Sequence, residues 1–272
     1  MRNDLSARAR EIALMITSWP SVTGTADEAA FPHKLAKLPV GCDRVWTEGI
    51  AGDPAGRSNV FALKRGKSPR TIVLTGHFDV VPVDDYGEFK QLAFNAERLL
   101  PELVARLKRT GENPLALADF ESGEFLPGRG LLDMKAGLAA GLAAMEFYRG
   151  EGTLMFIGVS DEEERSAGAR AALPVIAEIA ATQGLAIDLI INLDAISDQG
   201  DGAQGRVVGM GSIGKQLLTA FVVGKETHAC YPQDGANAAY LAAELVTEFE
   251  LAPELGETSG DETAAPPTAL AA

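Results

Sequence analysis

Thr75-Gly76-His77-Phe78-Asp79-Val80-Val81-Pro82 governs how this chain is read. The residues just before it, Thr71-Ile72-Val73-Leu74, are mostly apolar and three of them are β-branched, which predicts a buried strand. That strand ends at Gly76, and a histidine and a carboxylate follow two residues apart. Residues i and i+2 of an extended chain point the same way, so His77 and Asp79 leave the strand end on one face. A metal-binding histidine usually gives its other ring N–H to a carboxylate, which fixes its tautomer. The pair therefore reads as half of a metal site, ligand beside orienter. A core histidine capped by an aspartate would use the same two residues, so the rest of the sequence has to decide.

Around this stretch the pattern alternates between strands and helices. Strands are predicted at 59–64, 71–75, 153–160 and 186–193. Arg65-Gly66-Lys67-Ser68-Pro69 suggests a hairpin between the first two. Leu5, Ile12, Met15 and Ile16 lie on one helical face, so 5–18 reads as an amphipathic helix. Further helices are expected at 28–38, at 103–109 beginning near Pro101, and at 167–182 with a possible kink at Pro174. This order implies an α/β fold with a largely parallel sheet covered on both faces. After a linker at 198–202, a strand at 216–223 and a helix at 236–249 follow. Beyond Leu251 the chain is rich in Ala, Pro, Thr, Glu and Gly, and it reads as a disordered tail.

The bulk numbers narrow the function class. The chain has 272 residues and a formal net charge of −14. Its pI is about 4.7. Such an acidic surface argues against nucleic acid or an anionic membrane as partner. Cys42 and Cys230 form no disulfide framework and fit a reducing cytoplasm. No signal peptide and no bilayer-length apolar run is evident. A cytoplasmic protein is the expectation.

Three more acidic motifs follow. Gly128-Arg129-Gly130-Leu131-Leu132-Asp133 leads into a helix, where Asp133 could be an N-cap or could crowd a cation together with the glycine loop. Ser160-Asp161-Glu162-Glu163-Glu164 comes directly after the buried run Leu154-Met155-Phe156-Ile157. Clustered carboxylates at a strand end repel unless they share a cation or proton. Ile190-Ile191-Asn192-Leu193-Asp194 ends another buried strand with an acid, which could simply begin a turn. Each motif has an ordinary reading by itself. Together they are harder to dismiss, because ligands bind at the carboxyl ends of strands in open α/β sheets. One histidine and several carboxylates suit Zn²⁺, Mn²⁺ or Co²⁺. Calcium is disfavoured, since His77 is a poor ligand for a hard cation.

In this order, the four motifs resemble the metallopeptidase family of aminoacylase, carboxypeptidase G, succinyl-diaminopimelate desuccinylase and acetylornithine deacetylase. The spacer 83–126, with Tyr86-Gly87, Leu92-Ala93-Phe94-Asn95 and Glu121-Ser122-Gly123-Glu124, resembles its RocB-like, arginine-utilisation branch. The resemblance implies a three-layer α/β/α zinc-exopeptidase-like catalytic domain over 1–205, the start of a small α+β lid over 206–250, and the tail. It implies two zincs, with Co²⁺ or Mn²⁺ as substitutes. His77 and Asp194 would hold one zinc, Asp133 would bridge both, and Glu163 would hold the second. Glu162 would be the general base for the attacking water, and Asp79 would orient His77. Gly224-Lys225-Glu226-Thr227-His228 resembles the turn opening the lid, where His228 would reach a partner subunit's site and steady the oxyanion. The implied substrate is a small acylated amino acid or short peptide, and the implied assembly is a homodimer through the lid.

The sequence also departs from the family pattern. Members supply a last zinc-binding histidine near the C-terminus, whereas this chain has only His33, His77 and His228. The expectation is therefore a C-terminally truncated member. The competing expectation is a non-catalytic remnant that holds at most one metal or serves as an interaction module.

Overall fold

A computed structural model describes residues 2–195, 209 and 219–249. The chain divides into two compact units, Met1–Val208 and Gly209–Ala272. The first is an α/β unit built on a five-stranded sheet. In chain order its strands are β1 (Arg44–Gly49), β2 (Ser58–Lys64), β3 (Arg70–His77), β4 (Thr153–Val159) and β5 (Ala186–Asn192). They lie side by side as β1-β2-β4-β3-β5. β4 pairs in parallel with β3, and β3 with β5, while β1–β2 and β2–β4 are antiparallel.

Alternation along the strands sorts side chains to two faces. Val60, Ala62, Leu74, Leu154 and Phe156 point to one face, where they pack against helices α1 (Arg2–Thr17), α2 (Ala26–Leu35) and α5 (Ala136–Phe147). Phe61, Leu63, Val73, Met155 and Ile157 point to the other and meet Ala172 and Ile179 of α6 (Ala167–Gln183). All seven residues of β4 are buried. A strand covered on both faces must be apolar throughout, which explains the unbroken run 153–159. Each buried Phe or Leu there contributes about 1.5–3 kcal/mol relative to exposure.

Four expectations change. The sheet is parallel only in its β4-β3-β5 half. Residues 65–69 do not close a hairpin, because β4 lies between β2 and β3. The loop instead passes the start of β4, where Ser68 N–H donates to the Glu151 carbonyl at 2.8 Å and Gly66 N–H to Thr153 Oγ1 at 3.2 Å. β1 was not anticipated, although Val45, Trp46 and Thr47 have strand-forming side chains. The helix expected near Pro101 is α3 (Ala96–Thr110), which starts five residues earlier. Its start is set by Asn95, whose side chain accepts the Arg98 N–H at 3.1 Å, so Pro101 falls inside it. A further helix, α4 (Pro114–Ser122), follows.

In the second unit, α7 (Ala238–Phe249) matches the helix expected at 236–249. Lys225 and Ala236 form an isolated antiparallel bridge. Of the strand expected at 216–223, residues 216–218 lie outside the described residues, and 219–223 are in no strand. The expected linker at 198–202 and tail beyond 251 also lie outside the described residues. Among the described residues, no helix is long and apolar enough to cross a membrane.

Candidate metal centre

Strand register brings the motifs to one end of the sheet. His77 is the last residue of β3 and stands opposite Val159, so the chain leaving β4 continues beside it into Asp161–Glu163. Thr75 stands opposite Asn192, which carries Asp194 to the same level. Two glycines permit the close approaches. A Cβ on Gly76 would lie 2.0 Å from Met134 Cε, and the His77 N–H donates to Met134 Sδ at 3.0 Å. A Cβ on Gly137 would lie 2.0 Å from the Leu193 carbonyl oxygen, so glycine there lets α5 touch the end of β5.

Asp133 is not an N-cap. Its backbone is non-helical (φ −111°, ψ 97°), and α5 begins only at Ala136. The carboxylate is 61% exposed and lies 3.0 Å from His77 Nε2. Asp194 Oδ2 is 3.8 Å and Glu162 Oε2 3.9 Å from the same nitrogen. One ligand atom from each of His77, Asp133 and Glu163 can be chosen so that all lie within 4.8 Å of one another. That set, one imidazole nitrogen with carboxylate oxygens, suits a borderline divalent cation such as Zn²⁺, Mn²⁺ or Co²⁺.

His77 is buried, and its Nδ1 lies 2.9 Å from the Asp79 carbonyl oxygen and 3.6 Å from the Asp79 carboxylate. A carbonyl only accepts, so Nδ1 carries the proton and Nε2 faces the acids. Burial opposes charging the ring, but Asp79 and then Glu162 outweigh it and raise the pKa to about 9. Burial, followed by repulsion from Asp133, pushes the Glu163 carboxyl up.

Asp79 does more than face the histidine. Its Oδ1 accepts the Glu162 N–H at 3.0 Å, and its Oδ2 accepts the Glu163 N–H at 3.1 Å and the Thr23 hydroxyl at 2.9 Å. Burial disfavours its charge, but the bonds from His77, Glu162 and Glu163 hold its pKa below the ordinary carboxylate range. Thr23 was missed because 20–25 reads only as a helix break. Its pairing with Val80, through the Thr23 N–H to the Val80 carbonyl at 3.0 Å, is long-range. Lys135 was missed as well. It is fully buried, donates to the Trp19 carbonyl at 2.8 Å, and has a pKa lowered to about 7 by burial. A cavity of about 240 Å³ opens beside Asp133 and Glu163, walled by Val81, Arg129, Gly130 and Leu132. His228 belongs to the second unit, where it is exposed and its Nδ1 accepts the Cys230 N–H at 3.1 Å.

The uncharacterised Bacillus subtilis protein YqjN is 36% identical over 96% of this chain. RocB of the same organism is 27% identical over 97%. A succinyl-diaminopimelate desuccinylase of a Caulobacter species is 28% identical over 85%. The chain spans about half the length of these relatives, 49%, 48% and 51% respectively. A Staphylococcus aureus tripeptidase structure shares the fold, with a TM-score of 0.50 at 18% identity, over 90% of this chain and 57% of its own. Residues 73–267 match Peptidase family M20/M25/M40, a stretch that takes in all four motifs whole and all but the start of β3. This chain is a member of that peptidase family.

Proposed function

We propose that the site hydrolyses an amide bond in a small acylated amino acid or short peptide, with a divalent metal, zinc by preference. The observation that carries this reading is the meeting of His77, Asp133 and Glu163 around one point, with Glu162 Oε2 3.9 Å from His77 Nε2. His77, Asp133 and Glu163 would hold metal, with Asp194 completing the shell on the β5 side and Asp133 shared if a second ion binds. Such ions polarise the substrate carbonyl and make water nucleophilic at neutral pH. Glu162 is half-exposed at the rim of the cluster, a position suited to taking the proton from the attacking water. The same carboxyl then hands that proton to the leaving amine. Asp79 keeps the Nδ1 proton of His77 in place and fixes Glu162 and Glu163 through their backbone N–H groups. His228 would steady the oxyanion from a second subunit, acting through the lid part of the chain. The desuccinylase relatives and the tripeptidase support an amide as the bond cleaved.

The test is hydrolysis of an N-acyl amino acid panel by zinc-loaded protein. Glu162→Gln is expected to lower kcat by about 10²–10⁴-fold, the usual worth of a general base, with metal binding intact. Equal activity in wild type and variant would reject the assigned role.

A second reading, a one-metal binding module without catalysis, is favoured by one fact. Among the described residues, a single group of three or more His, Cys, Asp or Glu is close enough to share an ion. Metal counting separates the two: two tightly bound zincs per chain would exclude it.

A further inference from the structure

We propose that Arg57 and Asp161 are positioning residues for Glu162 and Glu163, a buried charge pair that locks the turn after β4 from behind. The inference rests on the reading of Glu162 as base and Glu163 as ligand. β2 runs antiparallel to β4, so the residue entering β2, Arg57, arrives at the end of the sheet where the chain leaves β4.

Asp161 has φ 64°, in the left-handed region, which costs most non-glycine residues energy and which Asp or Asn adopts where bonds around it hold the turn. Here they do. Its N–H donates to Glu28 Oε1 at 2.9 Å. Its carbonyl accepts the Arg165 N–H at 3.1 Å and the Ser166 N–H at 2.5 Å. Its Oδ2 accepts the Ala167 N–H at 3.0 Å, and its Oδ1 receives Arg57 Nη1. Arg57 is itself fixed, since Nη2 donates to Asp53 Oδ1 at 2.7 Å and its backbone N–H to Asp53 Oδ2 at 2.8 Å. Arg57 is 9% exposed, and Glu28 and Asp161 are fully buried.

The next two N–H groups, of Glu162 and Glu163, converge on the single carboxylate of Asp79. That convergence needs the sharp bend at Asp161. The turn is thus held in front by Asp79 and behind by Arg57 and Glu28. Removing the rear hold deletes no proposed ligand and no proposed base, yet it frees both glutamates to move. A displacement of about 1 Å in a reacting group can cost on the order of 10²-fold in rate.

A double-mutant cycle on the 272-residue chain tests this, using Arg57→Met, Asp161→Asn and both together. Asparagine tolerates the left-handed backbone, so Asp161→Asn removes the charge pair and one of the two acceptor oxygens without adding backbone strain. The readouts are the visible absorption of the Co²⁺-loaded protein, which reports ligand geometry, and kcat and KM on the acyl amino acid panel. Each single variant is expected to shift the Co²⁺ bands with unchanged Co²⁺ stoichiometry. Each is also expected to lower kcat by about 10²-fold while KM stays within about twofold. The double variant should lose less than the sum of the two single losses, because the Arg57–Asp161 pair is broken in all three. Ile179→Ala, a core change in α6, should lower the melting temperature without moving either readout. Additive losses, an unshifted Co²⁺ spectrum in both single variants, or the same losses in Ile179→Ala would overturn the proposal. If the wild type cleaves nothing on the panel, the hydrolase reading fails, and the Co²⁺ spectra still judge the pair. If Arg57→Met does not fold, Arg57→Lys replaces it. Lysine keeps the charge but cannot bond Asp53 and Asp161 at once, so an intermediate shift supports the proposal and none counts against it.

Discussion

His77 and Asp79 illustrate what a residue's nearest neighbours in sequence can and cannot tell. Their common face followed from the two-residue spacing, and they do meet. The closer partner of Nδ1 is the Asp79 carbonyl, however, because the carboxylate is engaged by Glu162, Glu163 and Thr23. Those partners are more than fifty residues away in sequence, so no local pattern announces them. Glu28 is a second residue of this kind. It reads as part of a helix start, yet it is fully buried and bonds to Gly24 and Asp161. Burial pushes its carboxyl up to about 7. The folded protein therefore keeps the proton where the unfolded chain, with its ordinary value near 4.5, has released it. This contribution is fully present below about 4.5 and is lost as pH rises through 7, on the order of 3 kcal/mol in all. Urea unfolding of wild type and Glu28→Gln between pH 4.5 and 8 should show the wild type losing ground to the variant over this window. A pH-independent difference would show that Glu28 titrates normally.

At the scale of elements, β2 to β5 and the helices α1, α2, α5, α6 and α7 were legible from periodicity and apolar runs. Pairing was not. The short loop 65–69 suggested adjacent strands, but β4 is apolar on both faces and takes the place between them. The contact between α5 and β5 is equally hidden, because it depends on the missing side chain of Gly137. Two effects oppose each other in Gly137→Ala. Alanine gains up to about 1 kcal/mol in helix propensity. Its Cβ would lie 2.0 Å from a backbone oxygen of Leu193 that no rotamer change can relieve, and such overpacking costs about 1–3 kcal/mol. The clash should win, giving a lower urea midpoint and weaker metal binding as Asp194 is pushed away. Unchanged stability and unchanged metal affinity would mean that this contact has slack.

For the whole molecule, the acids gathered at one end of the sheet are a source of repulsion that a cation would relieve. A metal that binds only the folded form stabilises it by mass action, about 2.7 kcal/mol at a hundred times its Kd. For a domain of this size that is roughly 5–10 °C in melting temperature. Zinc should therefore raise the midpoint, EDTA should reverse the rise, and His77→Ala should abolish it. A midpoint indifferent to zinc in the wild type would count against a metal centre.

By itself the sequence determined the α/β character, the strand ends that carry His77, Glu162, Glu163 and Asp194, the glycine loop that carries Asp133, and the family, because apolar periodicity and short motifs are local properties. The tertiary structure alone decided that the sheet is mixed, that Asp133 faces a histidine instead of capping a helix, and that Asp79, Arg57 and Glu28 hold the Glu162–Glu163 turn from two sides. Those outcomes depend on strand order and on hydrogen bonds between residues up to 133 positions apart. Such bonds form only once burial has brought the groups together, since a buried donor or acceptor left unpaired costs more than the bond it would make.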